Sequence, residues 1–358
     1  MAHCFLERCR NVEKVLITGA AGFIGSHVAE AFLGAGIPCV LFVRDSSRLC
    51  NELLGKMEIR LGDVRDKQSI IEASRDCASL IHVAGKSSDW GNREDFFSAN
   101  VQGTLNILEA CRVNEISHTI ITGSISSYGE EHCVQIKDET FPFNSHYPYF
   151  LNRFFPCAFN YYRDSKAEAT REALRFAAKH RLNVTIIEPV YVYGEREFNT
   201  GFYSYVKSVE QGIRYLPGSQ QNTFHVIYAR DLARAYLLAW QKKLPGVERM
   251  IIGNPQPEPM HRIFSLFCLK AGLKPPLLLP HWIAYPVGFV LELFGTIFST
   301  RNSPLLSRGR VNMFYDSIGY SAKKAERLLG FTSTYSLEQG IRNTVKWYQE
   351  NGYLKGKR

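Results

Sequence analysis

The sequence predicts an α/β protein: a doubly wound parallel sheet with crossover helices, carrying a smaller C-terminal lobe. Three observations support this. Through the first half, short apolar runs alternate with amphipathic segments of helical length. A glycine-rich turn follows the first run directly and opens a helix. Beyond Pro189 the alternation is lost, and apolar helices mix with turns such as Leu216-Pro217-Gly218 and Gly253-Asn254-Pro255-Gln256-Pro257.

Taken in order, strands are expected at 15–18, 39–43, 59–61, 80–83, 119–122 and 184–187, each rich in Val, Ile, Leu or Thr and too short for a helix. Helices between them include 23–33 and 101–111. Residues 131–160 are crowded with Phe, Tyr, Pro and His without a clear period, which suggests a long ordered loop beside a site. Near the end, 322–329 and 337–348 read as amphipathic helices that close the structure. The expected division is a nucleotide-binding domain over 12–190, containing the insert 131–160, and a substrate lobe mainly over 191–350, interleaved with it.

The 358 residues are 45% hydrophobic and carry 43 Lys plus Arg against 34 Asp plus Glu, a net charge of +9. The basic excess is spread along the chain. Its longest concentration is Lys355, Lys357 and Arg358, too little for a nucleic-acid arm. Cys4, Cys9, Cys39, Cys50, Cys77, Cys111, Cys133, Cys157 and Cys268 form no Cys-x-x-Cys and have no His at metal-ligand spacing. A reduced, cytoplasmic location and no metal site are therefore expected. Residues 1–10 carry Glu7, Arg8 and Arg10 and lack the apolar core of a signal peptide.

The stretch 275–291 holds no formal charge, and only Glu292 intervenes before Arg301. Pro280 and Pro286 are expected to break any helix there, Gly288 to weaken it, and the uninterrupted part is too short to span hydrocarbon. Core or pocket lining is one expectation; a peripheral membrane contact through 275–299 is the other.

The turn after the first strand reads Thr18-Gly19-Ala20-Ala21-Gly22-Phe23-Ile24-Gly25. Gly19 permits a tight turn, Gly22 lets backbone approach a pyrophosphate, and Gly25 lets the helix pack against the strand. Ala21, Phe23 and Ile24 complete the cradle, where a helix N-terminus offers N–H groups and a positive dipole end. A dinucleotide cofactor is expected. Where NAD enzymes keep an acid at the tip of the second strand, this chain has Val43 and Arg44, with Arg48 one turn on. Two guanidinium groups suit a 2′-phosphate, so NADP(H) is preferred; Asp45 nearby leaves NAD(H) open.

Further along stand Gly123-Ser124-Ile125-Ser126-Ser127-Tyr128-Gly129 and Tyr162-Arg163-Asp164-Ser165-Lys166. Tyr162 and Lys166 are four apart, so a helix puts both on one face, where the ammonium favours the phenolate. A tyrosine tuned in that way exchanges protons with a substrate hydroxyl or carbonyl.

These motifs, with Gly62-Asp63-Val64-Arg65-Asp66, His82-Val83-Ala84-Gly85, Asn100-Val101-Gln102-Gly103-Thr104 and Glu188-Pro189-Val190-Tyr191-Val192-Tyr193-Gly194, resemble the extended short-chain dehydrogenases/reductases over nearly the whole chain. Among them the 3β-hydroxysteroid dehydrogenase and dihydroflavonol reductase-like branch is nearest, through Leu279-Pro280-His281-Trp282 and Tyr320-Ser321-Ala322-Lys323-Lys324-Ala325. The resemblance implies a Rossmann-type fold. It also implies that Ser124 hydrogen-bonds the reacting oxygen, Tyr162 is the acid or base, and Lys166 holds the nicotinamide ribose. Asp63 and Val64 would lie against adenine, Val83, Ala84 and Gly85 along the cofactor, and Pro189 with Val190 near the nicotinamide. Asn100 would order the cofactor side. Relatives often dimerise through two helices, here 101–111 and 164–178, so a homodimer is expected.

Two departures stand out: Glu188 where many relatives have Arg, and Gly123 where a second serine is frequent. Ser124 is followed by Ile125 and Ser126 rather than Asp-Glu, which argues against sugar dehydration. The apolar block 277–298, with Trp282, Tyr285, Phe289 and Phe294, suggests a pocket or entrance for an apolar ligand. The expected activity is hydride transfer between NADP(H) and a secondary alcohol or ketone of an apolar molecule. A nucleotide-sugar epimerase stays open, since Lys207, Arg214, Arg308 and Arg310 could clamp a diphosphate, as does a non-catalytic cofactor-binding sensor.

Overall fold

The computed structural model describes residues 13–129, 135–198, 201–298, 300 and 302–355. Cys4, Cys9, Cys133, the N-terminal decapeptide, residues 131–134 of the insert, residue 299, Arg301, Lys357 and Arg358 lie outside the described residues.

Seven strands form one parallel sheet: β1 (Val15–Thr18), β2 (Cys39–Val43), β3 (Glu58–Leu61), β4 (Ser79–His82), β5 (His118–Thr122), β6 (Val184–Pro189) and β7 (Val247–Ile252). Their order is β7-β6-β5-β4-β1-β2-β3. Val15 pairs with Cys39 on one side and Ser79 on the other, so the direction in which successive strands are added to the sheet reverses about β1. That reversal opens a crevice beyond the carboxyl ends of β1 and β4, where open α/β sheets take their ligands. Side chains alternate between two cores. Val15 and Ile17 enter one apolar cluster with Leu41 and Val43, whereas Leu16 enters another with Val40 and Phe42. Burial on both faces is why these strands read as continuous apolar runs.

The crossovers are α1 (Phe23–Gly34), α2 (Lys67–Ala73), α3 (Gly103–Val113) and α4 (Ala158–His180). The helix expected at 101–111 begins instead with a π-turn over Ser98–Gln102. Wide turns of this kind often mark functional positions, and this one carries the buried Asn100. Two further helices, α5 (Phe202–Glu210) and α6 (Ala229–Lys242), lead to β7; α6 packs on α1. Beyond β7 come α7 (Met260–Lys270), α8 (His281–Ile297), α9 (Arg308–Met313), a short helix at Lys323–Leu329 and α10 (Leu337–Glu350). A capping box between Ser336 and Gln339 starts α10.

Two expectations fail in this region. Pro280 and Pro286 do not break the helix at 281: Pro280 caps it and α8 runs through Pro286 for 17 residues. A proline in the second turn removes one backbone donor, and the remaining ladder continues. Nor does the block 277–298 line the substrate cavity described below, whose walls come from other segments; His281 and Tyr285 line a separate hollow with Tyr147 and Tyr315. Trp282, Val287, Val290, Leu291, Phe294 and Ile297 of α8 face outward. No helix among the described residues is long and apolar enough to cross a membrane.

Candidate active site

The turn after β1 is a backbone cradle. Gly19 has φ 79°, and a Cβ on it would stand 2.6 Å from the Ala84 nitrogen, because the turns after β1 and β4 touch there. Thr18 locks the two turns together: its hydroxyl accepts from the N–H groups of Val83 at 3.2 Å and Ala84 at 3.1 Å. Gly22 caps α1 with no side-chain partner, and the first turn has no acid. The N–H groups there are therefore open to an anion, and the walls are too close for any Cβ on Gly19 or Gly25, as a dinucleotide pyrophosphate requires. Phe23 and Ile24 follow at the cradle's lip, and Ile24 also lines the adjoining cavity.

The other expected positions are placed as follows. Gly85 abuts Asn100, whose Oδ1 accepts from the Lys86 N–H at 2.7 Å. Val64 packs on Gly103, and its carbonyl accepts from Asn106 at 3.0 Å. Asp63 is paired with Arg65 at 2.6 Å, a partner the sequence reading did not assign, and this pairing holds its carboxyl below the usual range. Arg44 and Arg48 are exposed at the tip of β2. Asp45 turns away to cap its own 3-10 turn, accepting from the Ser47 N–H at 3.0 Å and hydroxyl at 2.7 Å. Its Oδ1 is engaged there, and the two arginines stand exposed to solvent.

The second half of the site lies where β5 ends and α4 begins. Ser124 caps the turn Ile125–Tyr128, and its hydroxyl stands 2.7 Å from that of Ser126. Tyr162 and Lys166 lie one turn apart on α4, as expected. The Tyr162 hydroxyl donates to Ser124 at 3.4 Å, and the Lys166 ammonium donates to the Thr122 carbonyl at 2.6 Å. Burial pushes the Lys166 ammonium down to about 8, opposed by the charge of Glu188. Asn100 donates to Ser165 at 2.9 Å, and Ser165 donates to the Tyr162 carbonyl at 2.8 Å, so Asn100 braces the turn that carries Tyr162. Two hydroxyls share one proton path at the cavity wall, with a cation behind them: an arrangement able to protonate or deprotonate a substrate oxygen.

Sequence reasoning singled out Glu188 but missed its partners, Tyr128 and Arg249, beneath this site. Glu188 accepts from the Tyr128 hydroxyl at 2.6 Å and lies 3.4 Å from the Arg249 guanidinium. Burial pushes its carboxyl up to about 7. The two departures noted in the sequence are one: a Cβ on Gly123 would stand 2.7 Å from Glu188 Cγ, so a serine at 123 has no room.

A cavity of about 190 Å³ opens beside Ser124 and Tyr162. Pro189 and Val190 line it, as do Phe159, Tyr191, Tyr205, Leu216, Phe264 and Phe314. Of the described part of the 131–160 insert, Phe159 alone reaches the lining. Asp89 and Arg310 are its ionic members, and they bind each other through two hydrogen bonds, one of 2.9 Å. The other basic candidates are occupied or outside. Arg308 is buried against Glu292 at 2.9 Å, Lys207 pairs with Glu210 at 2.6 Å, and Arg214 is exposed and away from the lining.

Residues 15–253 match the NAD dependent epimerase/dehydratase family. A 2-alkyl-3-oxoalkanoate reductase of Shewanella oneidensis is 26% identical over 345 residues, covering 92% of this chain and 85% of the relative. The sterol-4-alpha-carboxylate 3-dehydrogenase, decarboxylating, of Mus musculus is 23% identical over 342 residues, 93% of this chain and 90% of the relative. Among solved structures, UDP-glucose 4-epimerase of Thermotoga maritima with UDP-glucose superposes with a TM-score of 0.74 at 21% identity, covering 94% of this chain and 99% of the other.

Proposed function

The chain belongs to the NAD dependent epimerase/dehydratase family and is an oxidoreductase of the extended short-chain type, and from that premise we propose that it transfers hydride between NADP(H) and a secondary alcohol or ketone on a largely apolar molecule. One observation carries the substrate class. The cavity beside Ser124 and Tyr162 is walled by aromatic and aliphatic side chains, and its one lining arginine, among the described residues, is neutralised by Asp89. A nucleoside diphosphate sugar needs unpaired cations in that lobe; an apolar ring or chain does not.

When bound in the cradle, the nicotinamide cofactor supplies or accepts the hydride. Everything else falls to the protein. In the reductive sense Tyr162 delivers a proton to the substrate oxygen, and Ser124 donates a hydrogen bond to the charge developing there. Lys166, one turn on from Tyr162 along α4 and anchored on the Thr122 carbonyl, supplies the positive charge that favours a negative phenol oxygen. The walls of the cavity set mostly apolar side chains around the reacting oxygen. Arg44 and Arg48, exposed at the tip of β2, receive the 2′-phosphate that distinguishes NADP(H) from NAD(H).

The test pairs two measurements. A panel of a 2-alkyl-3-oxoalkanoate, a 3-ketosteroid and UDP-glucose is offered with NADPH or NADH, and both cofactor oxidation and sugar epimerisation are followed. Oxidation of NADPH by the apolar ketones supports the reading; conversion of the sugar without net oxidation overturns it. Tyr162→Phe then separates an enzyme from a sensor: turnover is expected to fall by about 10²–10⁴-fold with cofactor affinity kept.

A further inference from the structure

Helix α8 is built inside out. Its buried positions are Ala284, Gly288, Glu292 and Gly295. Its outward positions are large and apolar, with Val290 60%, Phe294 60%, Ile297 63% and Phe298 63% exposed. A surface helix in water places its apolar stripe inward. Here the inner residues are small because the helix lies close: a Cβ on Gly288 would meet Val311 at 2.9 Å, and one on Gly295 would meet Trp90 at 3.1 Å. The one acid, Glu292, is consumed by Arg308. Close packing explains the inner face, and nothing within the fold explains the outer one.

The turn at 150–154 continues the same surface. Phe154 is 72% exposed, and the Phe150 ring lies 5.4 Å from that of Phe289 on α8. Arg308 ties the two segments by donating to the carbonyls of Phe150 and Phe155. Leu305, the neighbour of Leu306 that packs on Ala284 of α8, is exposed and also lines the substrate cavity. Charge on this surface has one sign. Across 141–156 and 275–306 the sequence holds a single acid, the buried Glu292, while Arg153 stands exposed. An isologous pairing of two such faces would set arginine against arginine with no carboxylate to meet it. Anionic headgroups above acyl chains meet both the cation and the apolar stripe. At 17 residues α8 is too short to span a bilayer and suits lying along its surface.

We propose that the outward face of α8, with the turn at 150–154, docks on the surface of a lipid bilayer carrying anionic headgroups. The helix lies in the interfacial plane, with the Leu305 side of the cavity beside it. This assignment stands independently of which ketone the enzyme reduces.

The test floats the full chain with vesicles of phosphatidylcholine alone and of phosphatidylcholine mixed with phosphatidylglycerol. Wild-type protein is expected to float with the mixed vesicles. The double variant Val290→Glu, Phe294→Glu is expected to partition at least about tenfold less, with unchanged melting temperature and cofactor affinity. Arg153→Ala is expected to weaken binding to the mixed vesicles about fivefold. Trp282, 75% exposed on the same helix, gives a readout that needs no folded variant beyond Trp282→Phe: brominated lipid should quench wild-type fluorescence and not that of the variant. Absence of both flotation and quenching overturns the proposal. So does a dimer in sedimentation that Val290→Glu, Phe294→Glu disperses, which would give the face to a second copy.

Discussion

Gly25→Ala probes the contact on which the cofactor cradle depends. A Cβ at this position would stand 2.1 Å from the Gly19 carbonyl oxygen and 2.5 Å from its carbon, where real Cβ contacts stay beyond 3.0 Å. The shortfall is about 0.9 Å, and the obstacle is backbone on both sides, so no rotamer relieves it. Either α1 rises off β1 or the Gly19 turn opens. Overpacking of this kind costs ~1–3 kcal/mol in stability. The same displacement moves the N–H groups of the first turn by nearly the same distance from the pyrophosphate, and misplacement of ~1 Å costs up to ~10²-fold. The expected result is a Kd for NADPH raised by about tenfold to a hundredfold and a lowered Tm, measured by tryptophan fluorescence titration and thermal unfolding. Gly34→Ala is the control. It lies at the far end of the same helix with nothing within 4 Å of its Cβ, and should leave affinity unchanged while adding ~0.5–1 kcal/mol of stability. Wild-type affinity and Tm in Gly25→Ala, or equal damage in Gly34→Ala, would refute the close-approach argument.

Replacing Arg44 and Arg48 together by Ala should raise the Kd for NADPH by about tenfold to a hundredfold and leave NADH nearly unchanged, read in the same titration. Because burial holds Lys166 at about 8, its ammonium is present below that pH and lost above it; kcat/KM for reduction should fall about tenfold per pH unit on the alkaline side. Glu292→Leu strands the buried Arg308 guanidinium and should cost ~3–5 kcal/mol in urea unfolding, whereas Glu350→Gln, in an exposed pair with Lys346, should change nothing measurable.

Much of the fold was legible because buried parallel strands announce themselves. All six expected strands are present, within two residues at their ends. The seventh was not expected: Val247–Ile252 opens with Val-Glu-Arg, half-buried at the sheet edge, so its pattern never becomes a continuous apolar run. At the site, Gly19, Ser124, Tyr162 and Lys166 could be read from local spacing. The Glu188–Arg249 pair could not, since its members meet only through the pairing of β6 with β7. The block 277–298 was expected at the substrate pocket and lies away from it for a different reason, His281 and Tyr285 lining a separate hollow. Hydropathy reports how apolar a stretch is, and here the deciding fact is which side of α8 holds Gly288 and Gly295.

The late arrival of β7 has a consequence for the chain during synthesis. Its partner β6 ends at Pro189, but the register from Val184 to Pro189 is filled only when Ile252 has emerged, some 60 residues later. At ~5–20 residues per second, the nascent chain presents a bare, apolar strand edge for roughly 3–12 s. During that interval β6 is open to strand exchange with a neighbouring nascent chain, and the hazard grows with polysome density rather than with the stability of the finished protein. Slowed translation between β6 and β7 should therefore lower soluble yield, and a holdase chaperone should restore it.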